Sequence, residues 1–212
     1  MKSIKLVVLV MFCVTINIFA QKKDNIEMGF QLGYNSSRVV DNKGNSSDYR
    51  RTFNLGATAE YYFSKSWGLK AKIIYDRKGF NNSTLTLYNY YGDGTSYTYR
   101  TDFEINYITI PVMANWHFGA ERNWYLSFGF YQGFLSSARD TRLNNDLSKE
   151  FNSSDFGLAL NVGVKFPLSD QMKLMLEYDY QGGISNIAKT TDGTNLTNNR
   201  GAFNVGLNFL LK

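Results

Sequence analysis

Among side chains able to move a proton near neutral pH, the 212-residue sequence offers a single histidine, His117. Acyl transfer of the Ser-His kind needs a nucleophile held against such a base, so His117 must be judged by the element that carries it. Cysteine occurs once, at Cys13, within the first twenty residues, and the rest of the chain has no thiol or disulfide chemistry. One imidazole and no further thiol make a transition-metal site unexpected. The carboxylates Asp76 with Glu104, and Glu177 with Asp179, are of the type used in acid-base work or calcium binding. Two apart on a strand, Glu177 and Asp179 share a face, an arrangement routine on polar strand faces. Tyr91-Gly92-Asp93-Gly94-Thr95 and Thr191-Asp192-Gly193-Thr194 read as turns and lack the ligand spacing of a calcium loop. No catalytic, cofactor-binding or metal-binding residue is therefore assigned, and no cofactor is expected.

The first residues carry a charged start (Lys2, Lys5), an apolar run from Leu6 to Phe12 and a short stretch ending at Ala20, the pattern of a cleaved secretory signal peptide over 1–20. The run is too short for a spanning helix, which needs about 20 apolar residues. Phe12 before Cys13 argues against lipoprotein processing, which wants a small residue there. Residues 21–212 are expected to form one domain. Without Lys2 and Lys5, 21 basic residues face 18 acidic ones, and the scattered bases form no run or stripe, so no nucleic-acid partner is expected.

From Ile26 onward apolar residues recur with period two. Ile26, Met28, Phe30, Leu32 and Tyr34 oppose Glu27, Gly29, Gln31, Gly33 and Asn35. Seven further segments follow, beginning near Phe53, Leu69, Phe103, Trp124, Phe156, Met172 and Phe203. In the fourth, Phe103, Ile105 and Tyr107 share one parity and Ile108, Ile110, Val112, Ala114 and Trp116 the other. That break predicts a bulge near Tyr107, with Pro111 just beyond it.

Alternation alone does not say which face points outward. The connections do: after segments two, four and six they span about four or five residues, and after the odd ones about fifteen to twenty-two, the short turns and long outer loops of a bacterial barrel. Trp67, Trp116 and Trp124 all lie beside short turns, making one interfacial girdle, while Tyr34, Tyr75, Tyr107, Tyr178 and Tyr180 would make the other. Ten to thirteen residues at about 3.3 Å each, tilted about 40°, match the apolar band. The expected fold is all-β, a transmembrane antiparallel up-and-down barrel of eight strands.

The inward charges are then Glu27, Glu60, Lys70, Lys72, Asp76, Lys165, Lys173, Glu177 and Asp179. An eight-stranded lumen barely holds its own side chains, so these should pair across it as a plug, without a large steady pore. His117 falls beside the short turn after strand four, the wrong leaflet for lipid acyl chemistry, and reads as a polar rim residue. The outer loops, roughly 36–50, 81–102, 136–154 and 183–200, are rich in Asn, Ser, Thr, Gly and Tyr. Tyr88, Tyr90, Tyr91, Tyr97 and Tyr99 extend strands three and four as a hairpin that can offer aromatic faces to a glycan or protein.

The sequence resembles the PorT-like family of eight-stranded outer-membrane barrels. The resemblance rests on Leu69-Lys70-Ala71-Lys72-Ile73-Ile74-Tyr75 with Lys78-Gly79, Ile105-Asn106-Tyr107-Ile108-Thr109-Ile110-Pro111, and Asp155-Phe156-Gly157. Leu176-Glu177-Tyr178-Asp179-Tyr180, Gly183-Ile184-Ser185-Asn186-Ile187 and the closing Phe203-Asn204-Val205-Gly206-Leu207-Asn208-Phe209 add to it. The end departs from the common aromatic finish, closing Leu210-Leu211-Lys212. The resemblance implies location in the outer membrane of a Gram-negative bacterium more than an activity. The expected role is non-enzymatic, in envelope structure or surface interaction, by a monomer. Its partners are outer-membrane lipid and lipopolysaccharide, with an envelope protein or glycan at the outer loops. A secretion or assembly component, a narrow solute channel and a lipid-modifying enzyme stay open as alternatives.

Overall fold

The computed structural model describes residues 25–88, 96–189 and 193–211. The expected signal peptide, the turn sequence around Asp93, and Thr191 and Asp192 of the second turn sequence lie outside the described residues. Eight antiparallel strands close into one barrel in chain order: β1 (Ile26–Asp41), β2 (Asp48–Tyr62), β3 (Trp67–Tyr88), β4 (Ser96–Phe118), β5 (Trp124–Asp140), β6 (Ser154–Pro167), β7 (Met172–Gly183) and β8 (Leu196–Leu211). β1 and β8 close the ring along their whole length, from Ile26 opposite Leu211 to Asp41 opposite Leu196. Closure satisfies the backbone groups that hydrocarbon would otherwise leave unpaired at several kcal/mol each.

The wall is inverted relative to a water-soluble protein. Phe203 is 70% exposed, Phe30 68% and Leu55 60%, while Lys70, Lys78 and Asp155 are 0% exposed. An apolar surface this continuous can face only lipid, so the apolar parity points outward. At the short-turn end Trp67 stands opposite Trp116 in the ladder, their rings stacked at 6.4 Å, and Trp116 packs on Phe118 at 5.0 Å. Inward glycines make room for large lumenal side chains. A Cβ at Gly163 would lie 2.4 Å from Tyr125, its partner across the ladder.

The strands outgrow the bilayer, and this corrects the expected loop lengths. Only residues 42–47 separate β1 from β2, and β3 and β4 stay paired up to Tyr88 opposite Ser96. Above Phe80 opposite Phe103 the hairpin runs on from Ser83 to Tyr88, about 20 Å at about 3.3 Å per residue. The polar composition of 81–88 and 96–102 reflects strands standing in water rather than irregular loop.

The bulge near Tyr107 exists, but the extra residue is on the other strand. Asn106 pairs with Ser137 and Tyr107 with Leu135, so Ser136 of β5 is the inserted residue. β4 keeps one parity throughout, which turns Phe103, Ile105 and Tyr107 into the lumen. Tyr107 is therefore no part of the outer girdle. Pro111 is accommodated without a register shift, where the β3–β4 ladder passes over Lys72 and Ile73.

Candidate functional site: the lumen and its outer cap

Each strand delivers alternate side chains to a lumen too narrow for water-solvated charges, so polar groups there must satisfy one another. At the short-turn end the Glu27 carboxylate accepts from Lys173 at 2.8 Å, Asn208 at 2.7 Å, the Tyr62 hydroxyl at 3.1 Å, and Lys165. Glu60 accepts from Lys165 at 2.8 Å and Asn115 at 2.7 Å, and its Oε1 lies 2.6 Å from His117 Nε2. Further along, Glu177 is bound by Lys70 at 2.5 Å, by Tyr125 at 2.8 Å and by Lys72. Asp179 takes Lys72 and Arg200, each at 3.1 Å.

Arg200 then passes the chain to Asp76, Nε to Oδ1 at 2.9 Å, with Asn35 on the same carboxylate at 2.8 Å. At the outer end Asp155 accepts from Lys78 at 3.0 Å, Tyr131 at 3.0 Å and Asn198 at 2.9 Å. All nine expected inward charges are buried in this network. Lys78, Asp155 and Arg200 join them, so the expected five acids and four bases become six of each. Lys78 continues the even parity of Lys70, Lys72 and Asp76 and was readable from it. Arg200 was hidden because β8 starts at Leu196, well before Phe203.

The two carboxylate pairs separate. Glu177 and Asp179 share the lumenal face and are bound by lysines, whereas Glu104 faces outward from the wall, held by Arg50 at 3.0 Å and Arg77 at 3.2 Å. His117 lies beside the short turn at the end of β4 and is buried there, with Nδ1 3.3 Å from the Arg122 carbonyl of that turn. Among the described residues no group of three or more His, Cys, Asp or Glu could hold a metal ion.

Sequence reasoning missed the outer closure. Phe80, Phe103, Ile105 and Tyr107 from β3 and β4, with Val39 and Ala138, meet Leu147 and Phe151 of the β5–β6 loop and Ile187 of the β7–β8 loop in one buried apolar cluster. Phe80 and Phe103 stack at 4.7 Å. The two loops are tied over it. Phe151 bridges Ala188, Asn152 N donates to the Ile187 carbonyl at 2.8 Å, and Lys189 N donates to the Glu150 carbonyl at 2.8 Å. Apolar parity on β4 was a visible signal, but on sequence alone it reads as lipid-facing wall.

The loops themselves are braced by aspartates. Asp140 accepts from the backbone nitrogens of Leu143 and Asn145, each at 2.8 Å, and of Arg142 at 3.1 Å. Burial would raise its pKa, yet these donors hold it below the usual aspartate value. Asp41 is lowered chiefly by the Asn45 amide, and Asp146 by hydrogen bonds from Ser148.

The sequence pattern described as Outer membrane protein beta-barrel domain matches residues 19–189. No curated protein matches the chain. Among solved structures, OprG of Pseudomonas aeruginosa is 14% identical, with 92% of this chain and 99% of that one covered and a TM-score of 0.50. Neisserial surface protein A is 15% identical, covering 86% of this chain and 96% of its own, also at a TM-score of 0.50. Ail, the attachment invasion locus protein of Yersinia pestis, is 18% identical over 90% of this chain and all of that one, at 0.45. OprG and the Neisserial protein share the fold of this chain.

Proposed function

Since the chain belongs to the Outer membrane protein beta-barrel domain family, of the Gram-negative outer membrane, we propose that it acts as a non-enzymatic, non-conducting barrel serving envelope structure or surface interaction through its outer loops. The observation that carries this reading is the double closure of the lumen, by the ion-pair network and by the apolar cap above it. A barrel sealed in this way acts through what its outer loops, periplasmic turns or wall touch. The cap also weighs against the narrow-channel alternative. The burial of His117 against Glu60 at the short-turn end weighs against lipid acyl chemistry. A finer kinship with PorT-like barrels, removal of residues 1–20 on export, and a monomeric state are parts of the same proposal.

Among the described residues the β3–β4 hairpin extends above the wall with Tyr97 66% exposed and Arg142 5.5 Å over the Tyr99 ring. The test is affinity capture from gently solubilised envelopes, using the intact protein and a variant lacking residues 83–101. A protein or glycan recovered with the first and lost with the second supports the reading. Identical recovery from both would remove the hairpin from it.

A further inference from the structure

On the outward face of β7, β8, β1 and β2 lies a cavity of about 280 Å³ whose lining includes Arg38, Tyr49, Tyr178, Tyr180, Asn199 and Gly201. Its floor exists because position 201 has no side chain: a Cβ there would fall 2.5 Å from the Tyr178 hydroxyl. Tyr180 donates to Asn199 Oδ1 at 3.0 Å, fixing the amide in the wall. Arg38 is held with Cζ 4.9 Å from the Tyr49 ring centroid and Nη1 3.2 Å from Ser46 Oγ. Arg51, exposed on the neighbouring strand, stands opposite Ser36 of β1 in the ladder.

Depth and charge distinguish this sector. Arg38 is twelve residues along β1 from Ile26, about 30 Å up the wall at about 3.3 Å per residue and a tilt of about 40°. That is just beyond an apolar band of about 25 Å, at the depth of outer-leaflet headgroups. In the adjoining sector Arg50 and Arg77 share the single carboxylate of Glu104. Arg38 and Arg51 have no carboxylate within ion-pair distance among the described residues, and the cavity lining contains none. Lower on β8, β1 and β2 an apolar groove of about 460 Å³ runs between Phe30, Leu32, Leu55, Val205 and Leu207. A polar, cationic cavity above an apolar groove on the same strands matches an amphiphile standing upright in the leaflet.

We propose that this wall is a binding site for a phosphorylated glycolipid of the outer leaflet. Arg38 and Arg51 take the phosphate, Tyr49, Tyr178 and Asn199 the sugar, and the groove an acyl chain. Guanidinium suits the phosphate because its fork donates two parallel charge-assisted hydrogen bonds. The site lies beyond the loop-interaction reading and would stand if the loops had no partner.

The test uses the full chain in nanodiscs of zwitterionic lipid, with bound lipid read by native mass spectrometry. The probes are bisphosphorylated lipid A, dephosphorylated lipid A of the same acyl composition, and inorganic phosphate. Expected is retention of bisphosphorylated lipid A that weakens about tenfold in the Arg38→Gln/Arg51→Gln variant, a loss of the size of one good charge-assisted contact. The dephosphorylated lipid should bind about as weakly to the unaltered protein, and Arg139→Gln should bind like it. Folding of each variant is checked by its gel mobility before and after heating, and the dephosphorylated comparison needs no variant. Equal binding of the two lipids, unchanged binding in the double variant, or full displacement by inorganic phosphate would each overturn the proposal.

Discussion

Lys78 of β3 and Asp155 of β6 meet across the lumen, Nζ to Oδ2 at 3.0 Å, beneath the apolar cap. The pair ties Lys78-Gly79 of β3 to Asp155-Phe156-Gly157 of β6, two stretches 77 residues apart in the chain. Asp155 also accepts from Tyr131 and Asn198, which joins four strands at one carboxylate.

Asp155→Asn is expected to destabilise the barrel by about 3–5 kcal/mol, the usual cost of leaving one member of a buried pair without its counter-charge. Lys78→Met combined with Asp155→Leu should recover much of that loss, because it removes both charges. Urea unfolding in lipid vesicles measures the two changes. A single variant as stable as the parent would show that the pair is solvated.

The cap and the network are separate closures. Phe151→Ala with Ile187→Ala should expose the outer mouth and speed hydrogen exchange at Tyr107 and Phe103, yet leave the bilayer non-conducting because the ion pairs still fill the barrel. Current appearing with the cap variant alone would mean that the network is passable.

Deletion of Ser136 tests the bulge. Without it, Leu135 and Ser137 become neighbours and the β4–β5 ladder runs regularly, with Tyr107–Leu135 and Asn106–Ser137 kept and Ala138 and Asp140 still facing inward. A folding yield near that of the parent is expected, judged by heat-modifiable gel mobility. Loss of folding would mean that the bend made by the bulge is itself required for closure.

Much of the barrel was legible because period two, Trp placement and alternating connection lengths are all imposed by lipid. β4 was misread for a physical reason: apolar side chains at the outer end of the lumen and on the lipid wall look alike until a neighbouring strand fixes the register. The insertion that fixes it, Ser136, lies on β5 in a polar stretch without periodic signal. The lumenal charges were legible by parity, but which carboxylate each lysine reaches was not. Lys70 is opposite Glu60 in the ladder and yet bonds Glu177 across the barrel. The cap was illegible because Leu147, Phe151 and Ile187 come from connections, where single apolar residues carry no pattern.

The outer loops should loosen in acid before the barrel does. Asp41, Asp140 and Asp146 have folded-state pKa values below their unfolded ones. Their stabilisation is thus fully present above the unfolded value near 4 and is lost as pH falls through the lower folded values. Hydrogen exchange in residues 41–47 and 140–148 should rise below about pH 4 while the strands stay protected. Asp140→Asn should reproduce the β5–β6 loop part of this at neutral pH. Loops equally protected at pH 3 and pH 7 would contradict it.

His117→Ala should leave the lipid A of the host unchanged and lower barrel stability by about 1–3 kcal/mol, since Glu60 loses a buried hydrogen-bond partner. Mass spectra of extracted lipid A, compared with those of a deletion strain, decide this.

The sealed lumen is tested most directly by electrical recording from the purified protein in planar bilayers at neutral pH. Insertion should give no steady conductance, in the parent and in the Phe151→Ala/Ile187→Ala variant alike. Stable current steps of porin size from the unaltered protein would contradict the closed barrel and the surface-acting role built on it.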